Sequence, residues 1–272
     1  MHILVILDRP ETAPFILATA RLLSEKIPDP VIRVLHPRLT ADPRFQSPDE
    51  GMPSADDRER FERDETDRSV ALHGIFEEWL ASLQPPKSAE WCEMSGVPRT
   101  IAAEQAGQAD LTILGRPLAD DPDYVRQAFD GVLYDARATV LITPLRCRQT
   151  LARHPVIAWY PSASLEQLIT EARPLLEQAS QITVIIGEER ENEEKIPDIV
   201  QELRSVNIPV SVDRFIIPTV GVGEEVRKRA LSAGGDLLIM GAYTHSHFLE
   251  WLFGGATWDI LAHDTLPILT HH

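Results

Sequence analysis

The sequence predicts an α/β fold made of two tandem, open, five-stranded and mainly parallel sheets flanked by helices. Two observations lead to this prediction. Short apolar runs of strand length alternate with amphipathic helical patterns, and this order is typical of parallel sheets. The same order occurs twice along the 272 residues, a length that exceeds the roughly 100–200 residues of a common single domain. We therefore expect two similar domains in one chain.

Five strands and four helices are predicted in the first half. The strands are His2–Leu7, Val31–Leu35, Ala89–Met94, Leu111–Leu114 and Thr139–Thr143. The helices are Phe15–Leu23, a segment from about Arg58 to Leu83, Val97–Ala106 and Tyr124–Arg137. The second helix has one buried face, because apolar residues recur every three or four positions after Leu72. The stretch 36–56, rich in Pro, Asp, Arg and Ser, is predicted to be a mobile loop.

The second half restarts the same order at His154. The strands are predicted at His154–Trp159, Ile182–Ile186, Val210–Val212, Leu237–Met240 and Leu266–Leu269. The helices are predicted at Leu165–Ala179, in a segment that ends near Val206, and at Glu224–Ala233. Each of these runs has the apolar spacing of its own element type.

An internal repeat relates the two halves. HILVILD at His2 corresponds to HPVIAWY at His154, ADLTILG ending at Gly115 to GDLLIMG ending at Gly241, and TVLITP at Thr139 to LPILTH at Leu266. Self-similarity at a long period indicates duplicated structural units. We predict domains at 1–145 and 153–272, joined by the stretch Pro144–Arg153, whose arginines favour a short solvated linker.

Composition and charge narrow the classes of function. The chain is 43% hydrophobic and 25% charged, as in ordinary globular proteins, and 26 basic against 42 acidic residues give a net charge of −16. Such a charge repels polyphosphate surfaces, so neither a nucleic acid nor a membrane is expected as a partner. The two cysteines, Cys92 and Cys147, lack the C-x-x-C spacing of a zinc or redox motif. We expect a cytoplasmic protein whose N-terminus is a strand.

The stretch Gly241–Thr257 is the strongest candidate for a binding site. It follows an apolar strand and carries glycines at both ends. Glycine lets the backbone approach a ligand closely, and the free amides of a helix start favour an anion. The alternative interpretation is that Gly241 only ends the strand and that Gly254 and Gly255 only bend the chain.

Other candidate motifs have simpler explanations. His245 and His247 are too few for a closed zinc site, and they are interpreted as loop histidines. The acidic run Asp120-Asp121-Pro122-Asp123 lacks the spacing of a calcium loop and is predicted to be solvated. Neither a P-loop nor a G-x-S-x-G motif occurs. The sequence therefore predicts that the protein is not an enzyme.

The second half resembles the universal stress protein family (UspA-like) in its tandem two-domain form. The resemblance is carried by VIAWYPSAS, by GEEVRKRALSAGGDLLIMGAY and by FGGATWDILAHDTLPIL, and it extends over nearly the whole chain. It implies open α/β sheets of Rossmann-like type whose last strands pair. In a tandem member this pairing gives an intramolecular pseudo-dimer, and association of two chains into a homodimer is left open.

The resemblance also implies a nucleotide site. Many members bind ATP through G-x2-G-x9-G-[S/T], in which Gly241 matches the first glycine and Gly254 the third. Thr244 stands in the place of the second glycine and Gly255 in that of the hydroxyl residue. Tyr160 replaces the acidic residue that often ends the first strand. The complete predicted set is Ile186, Met240, Gly241, Thr244, Gly254, Gly255, Ala256 and Thr257.

The first half departs further from this pattern. It keeps Asp8 and Gly115, but Gln127 and Ala128 stand where the third glycine and the hydroxyl belong. We expect this half to be structural. For the whole chain we predict a non-catalytic stress-response or signalling module with weak or lost nucleotide binding and a protein partner that the sequence does not identify. The alternative is that its C-terminal domain binds ATP or AMP as a cofactor and hydrolyses ATP slowly.

Overall fold

The computed structural model describes residues 1–45, 52–84, 88–118, 120–188, 197–205, 208–218, 221–241 and 266–271. The chain divides into two compact units. The first comprises Met1–Arg21 and Asp29–Ala138, and the second comprises Leu22–Pro28 and Thr139–His272. These units are defined by contacts, whereas the predicted ranges 1–145 and 153–272 follow the sequence repeat and stay a prediction.

Among its described residues, the first unit contains four parallel strands and four α-helices. The strands are β1 (His2–Ile6), β2 (Val31–Leu39), β3 (Ala89–Gly96) and β4 (Leu111–Gly115), in the spatial order β3-β2-β1-β4. The helices are α1 (Ala13–Ser24), whose last three residues belong to the second unit, α2 (Ala55–Ser82), α3 (Pro98–Ala106) and α4 (Asp123–Asp130). Strand β1 is central, so the loop that follows it lies beside the ends of both neighbouring strands.

The second unit contains six strands and four helices among its described residues. The strands are β5 (Thr139–Thr143), β6 (Pro155–Trp159), β7 (Ile182–Glu188), β8 (Val210–Ile216), β9 (Leu237–Ile239) and β10 (Ile268–His271), in the order β5-β10-β9-β6-β7-β8. The helices are α5 (Ala163–Glu171), α6 (Arg173–Leu176), α7 (Asp198–Ser205) and α8 (Val222–Ser232).

Strands β5 and β10 are antiparallel, with Leu141 opposite Leu269, while the other neighbouring strands of this unit are parallel. They are the last strands of the two sequence repeats. Both are buried on both faces, since Val140 and Leu141 are 1% exposed and Leu269 is 2% exposed. Apolar residues at successive positions, rather than alternating ones, are typical of strands buried in this way.

The predicted fold class is confirmed, with one difference: by its contacts β5 belongs to the second unit, so the described units contain four and six strands instead of five each. All ten predicted strands are present, and their sheets are open, mostly parallel and flanked by helices. The central strands have fully buried apolar side chains, among them Val5, Ile113 and Val156, each 0% exposed. Burial of apolar area at about 25 cal/mol per Å² is the main force that stabilises such a core.

Two predicted helices are wrong in extent. The helix expected over Leu165–Ala179 is interrupted at Ala172, between α5 and α6. Pro174 lacks the amide hydrogen that would donate to the preceding turn, which explains the break. The helix expected over Tyr124–Arg137 is α-helical only to Asp130, and a π-helical turn follows over Gly131–Asp135.

The stretch 36–56 is more ordered than predicted in its described part. Strand β2 continues to Leu39, and a short 3-10 turn follows at Pro43–Phe45. Helix α2 begins at Ala55 rather than near Arg58, because Ser54 and Asp57 form a capping box. The expected solvated linker is also partly wrong, since Leu151 and Ala152 are 2% and 0% exposed.

Candidate functional site

The described part of the predicted site in the second unit lies at the carboxyl ends of β6, β7 and β9. Met240 follows β9, is 4% exposed, and donates its backbone N–H to the carbonyl of Leu269 at 3.1 Å. Ile186 is 8% exposed in β7 and is aligned with Trp159 of β6. In open α/β sheets, ligands bind at this edge. Met240 and Ile186 therefore lie at this edge, and their part in ligand binding stays a prediction.

Gly241 lies directly against the start of α5. A Cβ atom at this position would lie 3.3 Å from the Oγ atoms of both Ser162 and Ser164, and 3.4 Å from Cβ of Leu165. The first two distances are shorter than most carbon–oxygen contacts, so a methyl group here would require the two serine hydroxyls to shift by a few tenths of an ångström. Gly241 thus permits a close approach between the end of β9 and the first turn of α5.

The start of α5 contributes two hydroxyl groups that the sequence prediction did not include. Ser162 is the N-cap, and its Oγ accepts a hydrogen bond from the N–H of Leu165 at 3.2 Å. The hydroxyls of Ser162 and Ser164 are 3.4 Å apart. The signal was present in the sequence, because a serine before an apolar helical pattern is typical of an N-cap.

The remaining predicted residues lie outside the described residues. They are Thr244, Gly254, Gly255, Ala256 and Thr257, together with the loop histidines His245 and His247. The predicted phosphate cradle therefore stays a prediction. Tyr160, which replaces an acidic residue of the family pattern, follows β6 and is 55% exposed.

The equivalent edge of the first unit contains a buried ionic cluster. Asp8 follows β1, and Arg9 donates from Nε to the Asp8 carboxylate at 3.2 Å. Arg9 also donates from Nη1 to the carboxylate of Asp121, which accepts a further hydrogen bond from the N–H of Leu118. The side chains of Arg9 and Asp121 are only 8% and 10% exposed. The loop after β4 is thus bound by a charged pair to the loop after β1.

This pairing corrects the interpretation of the acidic run after β4. Asp121 was predicted to be solvated, yet its carboxylate is nearly buried because Arg9 and the Leu118 amide supply its hydrogen-bond donors. Asp120 and Asp123 are exposed, as expected. Gly115, the counterpart of Gly241, has its Cβ direction closed by the Cδ1 atom of Ile16 at 3.0 Å. Because Gly115 has no side chain, Ile16 of α1 can pack directly against the end of β4.

Burial dominates the electrostatics of this cluster. It raises the pKa of the Asp8 carboxyl above its ordinary value, and the Arg9 guanidinium acts in the opposite direction. His36 is 0% exposed, and burial lowers its pKa to about 4. Its Nδ1 atom lies 2.9 Å from the carbonyl of Leu7. His36 is therefore neutral at pH 7, with Nδ1 as the donor.

Helix α2 contributes a second buried charged pair. Glu65 accepts hydrogen bonds from the N–H of Leu39 at 3.1 Å and from Arg68 at 2.7 Å. The Arg68 guanidinium lies 4.4 Å from the ring centroid of Tyr124 at the start of α4. Burial raises the pKa of Glu65. These contacts tie α2 and α4 to the carboxyl end of β2.

The described ranges contain neither a metal-binding cluster nor a membrane-spanning helix. Within them, no group of three or more His, Cys, Asp or Glu side chains is placed to hold a metal ion. No helix in the same ranges combines the length and the apolar character needed to cross a membrane.

Comparisons with known proteins give a fold and no sequence family. No family model and no curated protein sequence matches the chain. A universal stress protein from Archaeoglobus fulgidus DSM 4304 superimposes with a TM-score of 0.68 at 12% identity, covering 99% of this chain and 95% of that one. A putative universal stress protein from Pseudomonas aeruginosa UCBPP-PA14 gives a TM-score of 0.54 at 15% identity, covering 99% and 92%.

A functionally unknown protein from Pseudomonas aeruginosa PAO1 gives a TM-score of 0.54 at 14% identity, with the same coverage of 99% and 92%. At these identities the likeness defines the fold. The chain has the α/β fold of universal stress proteins, which the sequence resemblance predicts.

Proposed function

We propose that this chain is a tandem universal stress protein that acts in a stress response without catalysis, and that its nucleotide binding is lost in the first unit and weak in the second. The fold likeness to universal stress proteins supports the general role. The observation that carries the finer proposal is the ion pair between Arg9 and Asp121.

The ionic cluster does not fit a nucleotide phosphate. A phosphate at the carboxyl ends of β1 and β4 would have to displace Asp121 from Arg9, or lie beside the carboxylates of Asp8 and Asp121. A phosphate beside these carboxylates would be repelled by their negative charge. A phosphate that displaced Asp121 would leave the Asp121 carboxylate buried without its cation. The Arg9–Asp121 bridge at this edge therefore contributes to the stability of the first unit instead of leaving Arg9 available to a phosphate.

The second unit retains part of what a phosphate needs. Gly241 brings the end of β9 close to the hydroxyls of Ser162 and Ser164 at the start of α5. Hydroxyl donors and helix-start amides favour an anion. Thr244, Gly255 and Tyr160 depart from the family pattern, and these departures support weak rather than strong binding.

Calorimetry of the full chain with ATP, ADP and AMP tests the proposal. We expect dissociation constants weaker than about 100 μM, which corresponds to less than about 5.5 kcal/mol of binding free energy, and at most one equivalent bound. Ser162→Ala should reduce any residual binding, while Asp8→Asn should leave it unchanged. Micromolar binding contradicts the weak site, and two bound equivalents contradict its loss in the first unit.

A phosphate-release assay tests the absence of catalysis. We expect no ATP hydrolysis above a blank without protein. Hydrolysis that Gly254→Val abolishes in a folded variant would instead support the alternative, an ATP-binding protein with slow turnover in its C-terminal domain.

We further propose a cytoplasmic location and a signal transmitted by contact with a protein partner or a second copy of the chain. Cys92 and Cys147 are both free thiols, as is common in a reducing compartment. Cell fractionation and light scattering of the purified chain test these two points separately.

A further inference from the structure

A cavity of about 410 Å³ lies in the second unit between the α5–α6 pair and α7. It is distinct from the candidate nucleotide site, because neither Met240 nor Gly241 lines it. Its volume falls in the range of roughly 300–1,000 Å³ that small-molecule sites occupy.

The floor of the cavity is apolar. It is formed by Trp159 at the end of β6, Ile169 of α5, Leu176 of α6 and Leu203 of α7. Leu176 is 0% exposed, and Ile169 and Leu203 are each 6% exposed. These buried side chains form the base of the cavity, and the partly buried indole ring of Trp159 adds a π face that attracts cations.

The charged residues that line the cavity make it strongly acidic. Glu166, Asp198 and Glu202 line it, and none of them forms a side-chain ion pair within the described part of the chain. Glu177 also lines it, but it accepts a hydrogen bond from Arg173 at 2.8 Å. Among the described lining residues, four carboxylates and one guanidinium give a net charge of −3.

The three unpaired carboxylates do not form a metal site. Over the described residues, no three acidic, His or Cys side chains converge closely enough to hold a metal ion. A divalent cation needs about six oxygen ligands around one point. Separated carboxylates over a hydrocarbon floor instead match several cationic groups joined by apolar segments.

We propose that this cavity binds a small aliphatic di- or polyamine. Its ammonium groups pair with Glu166, Asp198 and Glu202, while its methylene segments lie on Ile169 and Leu203 and one end meets the ring of Trp159. The net charge of −16 on the chain raises the local concentration of such a cation. This site and the proposed nucleotide site involve different residues, so either can be present without the other.

Calorimetry of the full chain with spermidine tests the proposal. At about 0.15 M monovalent salt, where long-range interactions between exposed charges are largely screened, we expect saturable binding at one site. Millimolar magnesium chloride should compete poorly. Loss of saturation, or equal competition by magnesium, would show that spermidine only neutralises the diffuse charge of the protein and would overturn the proposal.

Matched variants separate a specific site from net charge. The double variant Asp198→Asn/Glu202→Gln should weaken spermidine binding about tenfold, since an exposed ion pair contributes up to about a five-fold effect. The control Asp67→Asn/Glu104→Gln removes the same charge from exposed positions of the first unit and should change the affinity less than about two-fold. Equal losses in the two double variants would contradict the assignment.

The ring of Trp159 provides an independent readout. Trp159→Leu keeps an apolar side chain but removes the π face, and it should weaken binding about three-fold. It should also abolish the spermidine-induced change in tryptophan fluorescence, with the thermal unfolding curve serving as the check of folding. A fluorescence change that persists in this variant would place spermidine elsewhere.

Discussion

Arg9 and Asp121 are 112 residues apart in the sequence, and they form an ion pair with side chains that are 8% and 10% exposed. The pair joins the loop that follows the central strand β1 to the loop that follows β4. The pair lies at the carboxyl ends of these strands, which is the edge where ligands bind in open α/β sheets. The pair therefore links the stability of the first unit to its proposed loss of nucleotide binding.

Asp121→Asn should destabilise the first unit by about 3 kcal/mol. The substitution leaves the Arg9 guanidinium buried without its second carboxylate, and breaking a buried pair on one side has a large cost. Urea unfolding at pH 7 measures the change. Asp120→Asn, an exposed neighbour in the same loop, should change the free energy of unfolding by less than about 0.5 kcal/mol. Equal changes in the free energy of unfolding for Asp121→Asn and Asp120→Asn would show that the Arg9–Asp121 ion pair does not stabilise the first unit.

His36 should make the protein less stable in mild acid. Its pKa is about 4 in the folded state, because of burial, and 6.5 in its ordinary state. As the pH falls from about 6.5 to about 4, the unfolded chain binds a proton that the folded chain does not, so the free energy of unfolding decreases. The expected decrease from pH 7.5 to pH 5 is about 2 kcal/mol.

Comparison with His36→Gln isolates this contribution, because other groups titrate in both proteins. The wild type should lose about 2 kcal/mol more than the variant over this pH range, as measured by urea unfolding. His73→Gln, which changes a histidine of α2 whose side chain is 48% exposed, serves as the control for replacing a histidine with glutamine. If the free energy of unfolding of His36→Gln depends on pH as strongly as that of the wild type, His36 binds its proton equally well in the folded and unfolded states, which contradicts the prediction.

Gly241→Ala should destabilise the second unit by about 1 kcal/mol, because its Cβ would lie 3.3 Å from the hydroxyls of Ser162 and Ser164. Adding Ser164→Gly removes one of the two crowded atoms and should recover part of the loss. A double-mutant cycle based on thermal unfolding measures this coupling. Additive effects of the two substitutions would contradict the close approach.

Two glycines in helical segments should respond in opposite directions to alanine. At Gly131 a Cβ atom would lie far inside the contact distance of the Arg99 carbonyl oxygen, so Gly131→Ala should destabilise the first unit by more than about 2 kcal/mol. Gly74 in α2 has nothing within 4 Å of that position, and Gly74→Ala should stabilise by about 0.5–1 kcal/mol. Urea unfolding of both variants measures the two changes in the free energy of unfolding, and changes of the same sign would contradict the prediction.

Much of the fold could be predicted because its signals are local. A run such as His2–Leu7 or Thr139–Thr143 shows burial on both faces of a strand, and each such run is present as a strand. The break before α6 also has a local signal, since Pro174 cannot donate a backbone hydrogen bond to the preceding turn. Ser162, the N-cap of α5, also has a local signal, because a serine precedes the apolar helical pattern.

The sequence by itself determined the α/β class, the duplicated order of elements and the position of Gly241 after a buried strand, since periodicity and turn residues act over a few positions. Tertiary structure alone decided which charges meet. In the sequence Asp121 does not differ from its exposed neighbours, and only the fold places Arg9 beside it. Likewise, only the fold shows that Gly241 lies against the hydroxyls of Ser162 and Ser164. Pairings across 112 residues leave no local pattern, because they depend on how strands and loops meet in space.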